Sequence, residues 1–342
     1  MAIRKINSRS IGDTAVATAD IADGSITTAK IADTVNLGRR NLIINGAMQV
    51  AQRGTSVSGT TGFYGLDRWR GYAAASVTMS QQSFSLGQTD VEGFPKNYMR
   101  FVPSTAAYNF GQRIEDLTTV GGKTLTLSFW IKGSTAATFD CSYTRYFGSG
   151  GSSADTTEFL SDQAITTSWS KVTKTFTVGS LSGKTVGSGS YLQITFGDSI
   201  SFTSSQTVEI ANVQLEVGDT ATLFEHRSYG EELALCQRYY QKHGNETSAY
   251  RYLAPAYCNQ TTQAQGVLTL PVTMRTAPTT SVSGNFQILT GSANAAITLS
   301  TKQVNESSIG LEPSGSGFVA NSGAIIRGAN DATAQLKLDA EL

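Results

Sequence analysis

The chain has 342 residues, long enough for two domains and an extension, with 26 basic and 26 acidic residues. A balanced charge leaves no global field to draw nucleic acid or an anionic membrane. At 15% charged residues, with abundant Ser, Thr, Gly, Ala and Asn, the surface is one of hydroxyls and amides rather than ion pairs.

From the start, a branched aliphatic residue returns every five positions: Ile6, Ile11, Val16, Ile21, Ile26 and Ile31. Period five matches neither a helix face nor a strand face. Ala, Thr, Ser, Asp and Gly fill the intervals, so the row cannot be buried within the segment itself. Residues 1–37 therefore read as an extended arm for docking or oligomerisation, covered by identical chains or by a partner; a solvated low-complexity tail is the blander alternative. The opening Met-Ala-Ile-Arg-Lys-Ile-Asn lacks the apolar stretch of a signal peptide. No apolar run approaches the roughly 18 residues of a membrane span. Synthesis in the cytoplasm and no membrane insertion are the expectations.

Residues 38–227 alternate short apolar–polar strands with Gly/Ser/Thr/Asn turns. Leu125–Ile131, Trp169–Val178, Tyr191–Phe196 and Val208–Leu215 are the clearest, with Val172, Phe176 and Val178 turned inward. No helical crossovers intervene, so the fold class is all-β, an antiparallel sandwich. Residues 228–245 form a connector helix: apolar positions at 233, 235, 236, 239 and 240 make a stripe over 229–242. Ser228 and Glu231 are spaced as a capping box, and Gly244 is a stop. Residues 246–342 read as a small C-terminal β domain, with strands at Gly266–Met274 and Ala295–Ser300 and turns at Arg275–Thr279 and Pro313–Gly317. Oligomeric burial would help so small a core. Cys141, Cys236 and Cys258 have neither disulfide-framework nor zinc spacing and read as buried thiols.

Four blocks occur in a recognisable order: Asn41–Val50 (NLIINGAMQV), Tyr64–Trp69 (YGLDRW), Leu127–Gly133 (LSFWIKG) and Ala211–Gly218 (ANVQLEVG). Together they resemble galactose-binding-like jelly rolls of the carbohydrate-binding-module kind. With Phe224–Tyr240 (FEHRSYGEELALCQRYY) behind them and Ile-Ala-Asp-Gly-Ser-Ile-like repeats ahead, the chain resembles tail-fibre or appendage proteins of tailed bacteriophages. The resemblance implies a homotrimeric virion protein made in the host cytoplasm. It also implies a jelly roll whose first and last strands lie together, with no catalytic residues. The arm would dock on other virion proteins through Ile11, Val16, Ile21, Ile26 and Ile31. A structural calcium is common in such modules, and Asn45, Asp67, Asp198 and Glu216 are candidate oxygen ligands without the spacing of a dedicated calcium loop; no other cofactor is expected.

Sugar binding needs flat aromatic faces beside hydrogen-bonding groups. Tyr108, Tyr143, Arg145 and Tyr146 are the candidate glycan-binding residues, with Trp69, Tyr72, Phe147, Asn109, Gln112 and Arg113 in reserve. Core packing is the alternative for the tryptophans, and Tyr143 and Tyr146, three apart, fall on opposite faces of a regular strand. Asp67, Glu115, Asp116, Asp155 and Glu158 are scattered without a marked catalytic pair, and no nucleophile, phosphate-loop or zinc-protease motif occurs. The expectation is a non-enzymatic adhesin binding host-surface glycan, with a purely structural virion component as the alternative.

Overall fold

The computed structural model describes residues 39–60, 62–73, 77–102, 108–197, 206–244, 249–291 and 293–342. The pentad row Ile6 to Ile31, and with it the arm expected over 1–37, lies outside the described residues, as does Asp198.

Twelve strands make the sandwich: β1 (Ser56–Gly59), β2 (Phe63–Tyr64), β3 (Arg70–Ala73), β4 (Val77–Ser83), β5 (Asn97–Val102), β6 (Tyr108–Glu115), β7 (Thr124–Gly133), β8 (Ala137–Tyr146), β9 (Asp155–Ile165), β10 (Ser170–Thr177), β11 (Tyr191–Phe196) and β12 (Val208–Val217). They form two six-stranded sheets, β1-β4-β5-β12-β7-β10 and β2-β3-β6-β11-β8-β9, in which neighbours run antiparallel. Alternation does the work: in β7 and β10, Leu125, Leu127, Phe129, Ile131, Val172 and Phe176 point between the sheets and are buried. The centre is aromatic. Phe196 stacks on Phe110 (5.4 Å, 4° between planes) and meets Phe129 edge-on and Trp69 at 5.8 Å.

The expected adjacency of first and last strands takes a different form. β1 lies at a sheet edge beside β4, and the segment against β12 is the irregular 41–46. Asn41 Oδ1 accepts from both Ile43 N and Leu215 N, and a Cβ on Gly46 would fall 2.1 Å from the Val213 carbonyl oxygen. A side chain bridging its own backbone holds this stretch off the regular ladder.

The helix α1 (Tyr229–Gln237) starts as its sequence dictates, with the Ser228–Glu231 capping box formed. It ends five residues before the expected 242, because Tyr240–Gly244 is drawn into a strand, β13. β13 pairs with β21 (Gln335–Asp339), and Ala340 N donates to the Tyr239 carbonyl. Gly244 (φ +109°) sits at the end of that strand rather than at a helix C-cap.

The C-terminal part holds β14 (Tyr252–Cys258), β15 (Ala264–Thr269), β16 (Thr279–Ser283), β17 (Phe286–Thr290), β18 (Ala293–Lys302), β19 (Ser308–Gly315) and β20 (Ser322–Gly328). Six of these close into a barrel, β14-β15-β19-β18-β17-β20, while β16 joins β13 and β21 in a three-stranded sheet. Closure removes the free edges of the barrel strands. Two expectations are corrected here. β15 stops at Thr269 rather than Met274, just before Pro271, which has no N–H to give a ladder. Pro313–Gly315, read as a turn, continues β19, with Pro313 buried opposite Leu299. None of the three cysteines is in a disulfide, and all three are buried.

Candidate functional site

The blocks that made the sequence recognisable come together as a buried polar latch. Asn45, in the left-handed region (φ 59°), donates through Nδ2 to the Val50 and Asp67 carbonyls, while its own carbonyl accepts from Trp69 Nε1 at 3.0 Å. Its backbone N–H donates to Glu232 on α1 at 2.6 Å, across 187 residues. Glu225 accepts from Asn41 N at 2.7 Å. Arg227 joins the two acids and the entering chain: it donates to the Ile43 and Asn41 carbonyls and lies 3.4 Å from Glu232 and 3.5 Å from Glu225. Burial holds the Glu232 carboxyl above the usual carboxylate range, against the pull of Asn45 N–H and Arg227.

A second polar cluster joins the sandwich to the β13-β21-β16 sheet. Arg68, 1% exposed, pairs with Glu341 and lies 3.6 Å from the Tyr239 ring centroid. Arg53 meets Asp339 at 3.2 Å and Glu341 at 3.3 Å and sits over the Tyr240 ring at 3.7 Å. Arg238 binds Glu115, which also accepts from Tyr239 OH at 2.9 Å. Burial pushes Tyr64, Tyr239 and Tyr240 upward, Tyr240 to about 12. In the unfolded chain these phenols ionise near the ordinary 10. The stability they carry is therefore complete below pH 10 and is lost as pH rises toward 12. A pH titration of the tyrosinate absorbance together with the unfolding midpoint should show ionisation of this group coinciding with loss of fold.

The candidate calcium ligands are otherwise engaged. Asn45 is in the latch; Asp67 accepts from Gln52 N and Nε2, both at 2.6 Å; Glu216 accepts from Thr222 N and Oγ1. No cluster of three or more metal-ligating side chains occurs among the described residues.

Of the candidate glycan residues, Tyr143 is corrected. It is 4% exposed, stacks on Phe176 at 5.5 Å, and its hydroxyl donates to the Thr177 carbonyl and accepts from Gly179 N. It belongs to the core, because β8 turns it toward β10. Arg145 is also redirected: it makes a bidentate pair with Asp155 (2.7 Å for both bonds) and donates to the Ser180 carbonyl, clamping a loop. Gln112 likewise clamps Ile44 through its backbone N–H and carbonyl. Tyr108 lies in β6, and its side chain is outside those described. Tyr146 faces outward, 38% exposed.

Around Tyr146 the outer face of the sheet β2-β3-β6-β11-β8-β9 carries a ladder that the sequence analysis only partly named. Tyr146 stacks on Tyr191 at 4.6 Å and 25°, and the Arg113 guanidinium lies 4.4 Å from the Tyr191 centroid. Arg113 Nε and Tyr72 OH both donate to Gln193 Oε1, at 3.0 and 2.6 Å. Arg70 Nη1 donates to Tyr72 OH at 3.0 Å, with the guanidinium 4.6 Å from the Tyr72 ring. The register makes this a surface: Tyr191 opposes Glu115 and Tyr146, and Gln193 opposes Arg113 and Thr144. Tyr191 and Gln193 went unnamed as site residues, yet Tyr-Leu-Gln-Ile-Thr-Phe signals them by alternation, since Leu192 and Ile194 must face the core. Beyond Glu115, an open groove of about 510 Å³ continues between the sandwich and the segments flanking β16 and β21, lined in part by Asp116, Ser190, Arg275 and Leu342. On the opposite sheet a smaller cleft of about 220 Å³ lies between Trp130, Asn212, Phe224 and His226.

No protein-family model matches the sequence, and no curated protein matches it. Solved structures similar to it include the CBM22-1 xylan-binding domain from Paenibacillus barcinonensis Xyn10C (12% identity, 54% of this chain, 99% of that one, TM-score 0.35). The CBM22-1–CBM22-2 tandem of the same protein aligns at 11% identity over 90% of this chain and 98% of its own, TM-score 0.35. The enzymatically active domain of bacteriophage CBA120 tailspike protein 4 aligns at 18% identity over 55% of this chain and 24% of its own, TM-score 0.33. Likenesses this distant carry no inference about what the present chain binds.

Proposed function

We propose that this chain is a non-enzymatic fibre or appendage protein of a tailed-phage virion, whose sandwich binds host-surface glycan on the outer face of the β2-β3-β6-β11-β8-β9 sheet. One observation carries the glycan reading: the Tyr146–Tyr191–Arg113 stack, joined through Gln193 to Tyr72 and Arg70. Pyranose C–H faces pack on flat rings, and hydroxyls need amide and guanidinium partners alongside. Here both kinds of group stand on regular strands, which hold them in place at little entropic cost. The virion assignment rests on the ordered sequence blocks and the pentads. In it, residues 1–37 dock on other virion proteins and assemble a homotrimer made in the host cytoplasm. Three copies per fibre raise weak sugar contacts to useful avidity.

The test compares full-length oligomer with a Tyr191→Ala/Tyr146→Ala variant for binding to intact host cells and a glycan array. Binding should fall at least tenfold while the melting temperature and oligomeric state hold, since stacking of this kind is worth roughly 0.5–1.5 kcal/mol per ring beyond area and is multiplied by valency. A folded variant that binds as before would move the site off this face. One observation favours the second reading, a purely structural virion component: the most recognisable side chains, Asn45, Arg68, Arg227 and Glu232, all serve the latch and the domain joint. An assembled oligomer that binds neither cells nor any glycan would establish that reading instead.

A further inference from the structure

We infer that the cleft on the outer face of the β1-β4-β5-β12-β7-β10 sheet is a second sugar site, built for a single N-acetylated amino-sugar unit; it does not depend on the ladder of the other sheet. Three of the blocks singled out in the sequence place side chains in it: Trp130 from Leu127–Gly133, Asn212 from Ala211–Gly218, and Phe224 and His226 from Phe224–Tyr240. The strands set its walls. Leu127, Phe129 and Ile131 face the core, so Trp130 faces out. Asn212 sits at a bulge in β12, between Ala211 and Gln214, with φ 48°. Gln214 pins the segment opposite: its Nε2 donates to the Leu223 carbonyl and its Oε1 accepts from Glu225 N. Phe224 and His226 meet edge to face at 5.1 Å, and a Cβ on Gly93 would fall 3.0 Å from His226 Nε2, so the wall is tight on that side.

The chemistry of the cleft calls for a donor. Asn212, 3% exposed, gives Nδ2 to the Glu92 carbonyl at 3.0 Å, which fixes which end of the amide is oxygen. That Oδ1 is buried and meets no donor of the protein; among the described residues lining the cleft it is the one such side-chain atom. A buried amide oxygen left unmet is costly. The rest of the lining is mostly apolar and uncharged in sum. Burial lowers the His226 imidazole below its ordinary pKa, and Lys171 and Glu92 pair at 3.0 Å at the exposed mouth. At about 220 Å³ the cleft is smaller than the roughly 300–1,000 Å³ of drug-sized sites, so it takes one sugar unit. A bare hexose would bring several hydroxyls against walls that leave them few partners. An acetamido group instead brings a methyl for the Trp130, Phe224 and His226 rings and an N–H for Asn212 Oδ1. Its carbonyl, at the mouth, can accept from Lys171 Nζ, which has three N–H bonds and gives one to Glu92.

The probes are the methyl glycosides of N-acetylglucosamine and N-acetylgalactosamine, with those of glucose, galactose and glucosamine for comparison. They are titrated against full-length protein by calorimetry and by tryptophan fluorescence. At least one acetamido sugar should bind saturably, about tenfold or more tighter than its counterparts without the acetyl group. It should also shift tryptophan emission; Trp69 and Trp169 are held in ring clusters elsewhere, so a shift lost in Trp130→Leu reports the cleft. Asn212→Gly suits the positive φ and removes Oδ1, and should abolish the acetamido preference in a protein that keeps its circular dichroism. Trp130→Leu should weaken acetamido binding. No acetamido binding to the folded wild-type protein would overturn the inference. So would equal binding of acetamido and unmodified sugars, or a preference that persists in both folded variants. Neither substitution lies on the β2-β3-β6-β11-β8-β9 sheet, so each of these results leaves the host-cell and array comparison to decide the ladder by itself.

Discussion

Arg227→Ala is expected to destabilise the sandwich by about 3–5 kcal/mol, the range for breaking one partner out of a buried ion pair. Its guanidinium, 8% exposed, is the cation lying against Glu232 (4% exposed) and Glu225 (12% exposed). Truncation leaves both carboxylates facing a low-dielectric interior while Asn41 and Asn45 still donate to them. Glu232, already raised by burial, loses an opposing charge and moves further up. The sign of the pH dependence follows: a carboxyl raised in the folded state holds stability at acid pH and loses it as pH rises through its folded pKa. The variant should therefore be least impaired in mild acid and progressively worse toward neutrality. Urea unfolding at several pH values measures this. An Arg227→Ala/Glu232→Gln double variant should recover part of the loss, because the buried charge is gone. A pH-independent loss below 1 kcal/mol would mean that the latch carries no buried charge.

Trp69→Ala is expected to cost about 3–5 kcal/mol, as large-to-small changes in packed cores do. Trp69 is fully buried between Phe110 (6.2 Å) and Phe196 (5.8 Å), where the two sheets face each other, so its removal leaves a void that neither sheet can close. It also donates Nε1 to the Asn45 carbonyl, tying core to latch. Trp69→Phe keeps most of the ring volume but drops that bond, and should cost less, on the order of 1 kcal/mol for the hydrogen bond together with a packing term. The expected order, wild type above Trp69→Phe above Trp69→Ala, is read from chemical denaturation with near-ultraviolet circular dichroism. Equal losses for Phe and Ala would assign the whole effect to the hydrogen bond.

Much of the fold is legible residue by residue. Tyr191–Phe196 is a strand to the residue because its alternation is unbroken, and Ser228–Glu231 starts a helix because both partners of the capping box lie within one turn. Tyr143 and Tyr146 part company as residues three apart must, one buried and one exposed. The alternation of Phe139, Cys141 and Tyr143 with Asp140, Ser142 and Thr144 already groups Tyr143 with the apolar inward row and leaves Tyr146 on the polar face. Arg145 looked like a sugar partner by its neighbours in sequence; its carboxylate, ten residues on in Asp155, is brought to it by the β8–β9 register. The helix end was misjudged for a related reason. Tyr239 and Tyr240 continue the apolar stripe, but strand pairing with β21, about a hundred residues away, claims them.

By itself the sequence determined what local period and short-range side-chain geometry control. That covers an all-β chain, the inward rows of its strands, the start of its helix and three buried thiols outside any disulfide. The tertiary structure decided everything that depends on partners far apart in sequence. Asn45 meets Glu232, Arg68 meets Glu341, and Arg113 shares Gln193 with Tyr72. The physical reason is that a charged or aromatic side chain gains its role from whatever the register places within 3–5 Å of it, and register is set by the packing of both sheets together rather than by any one strand.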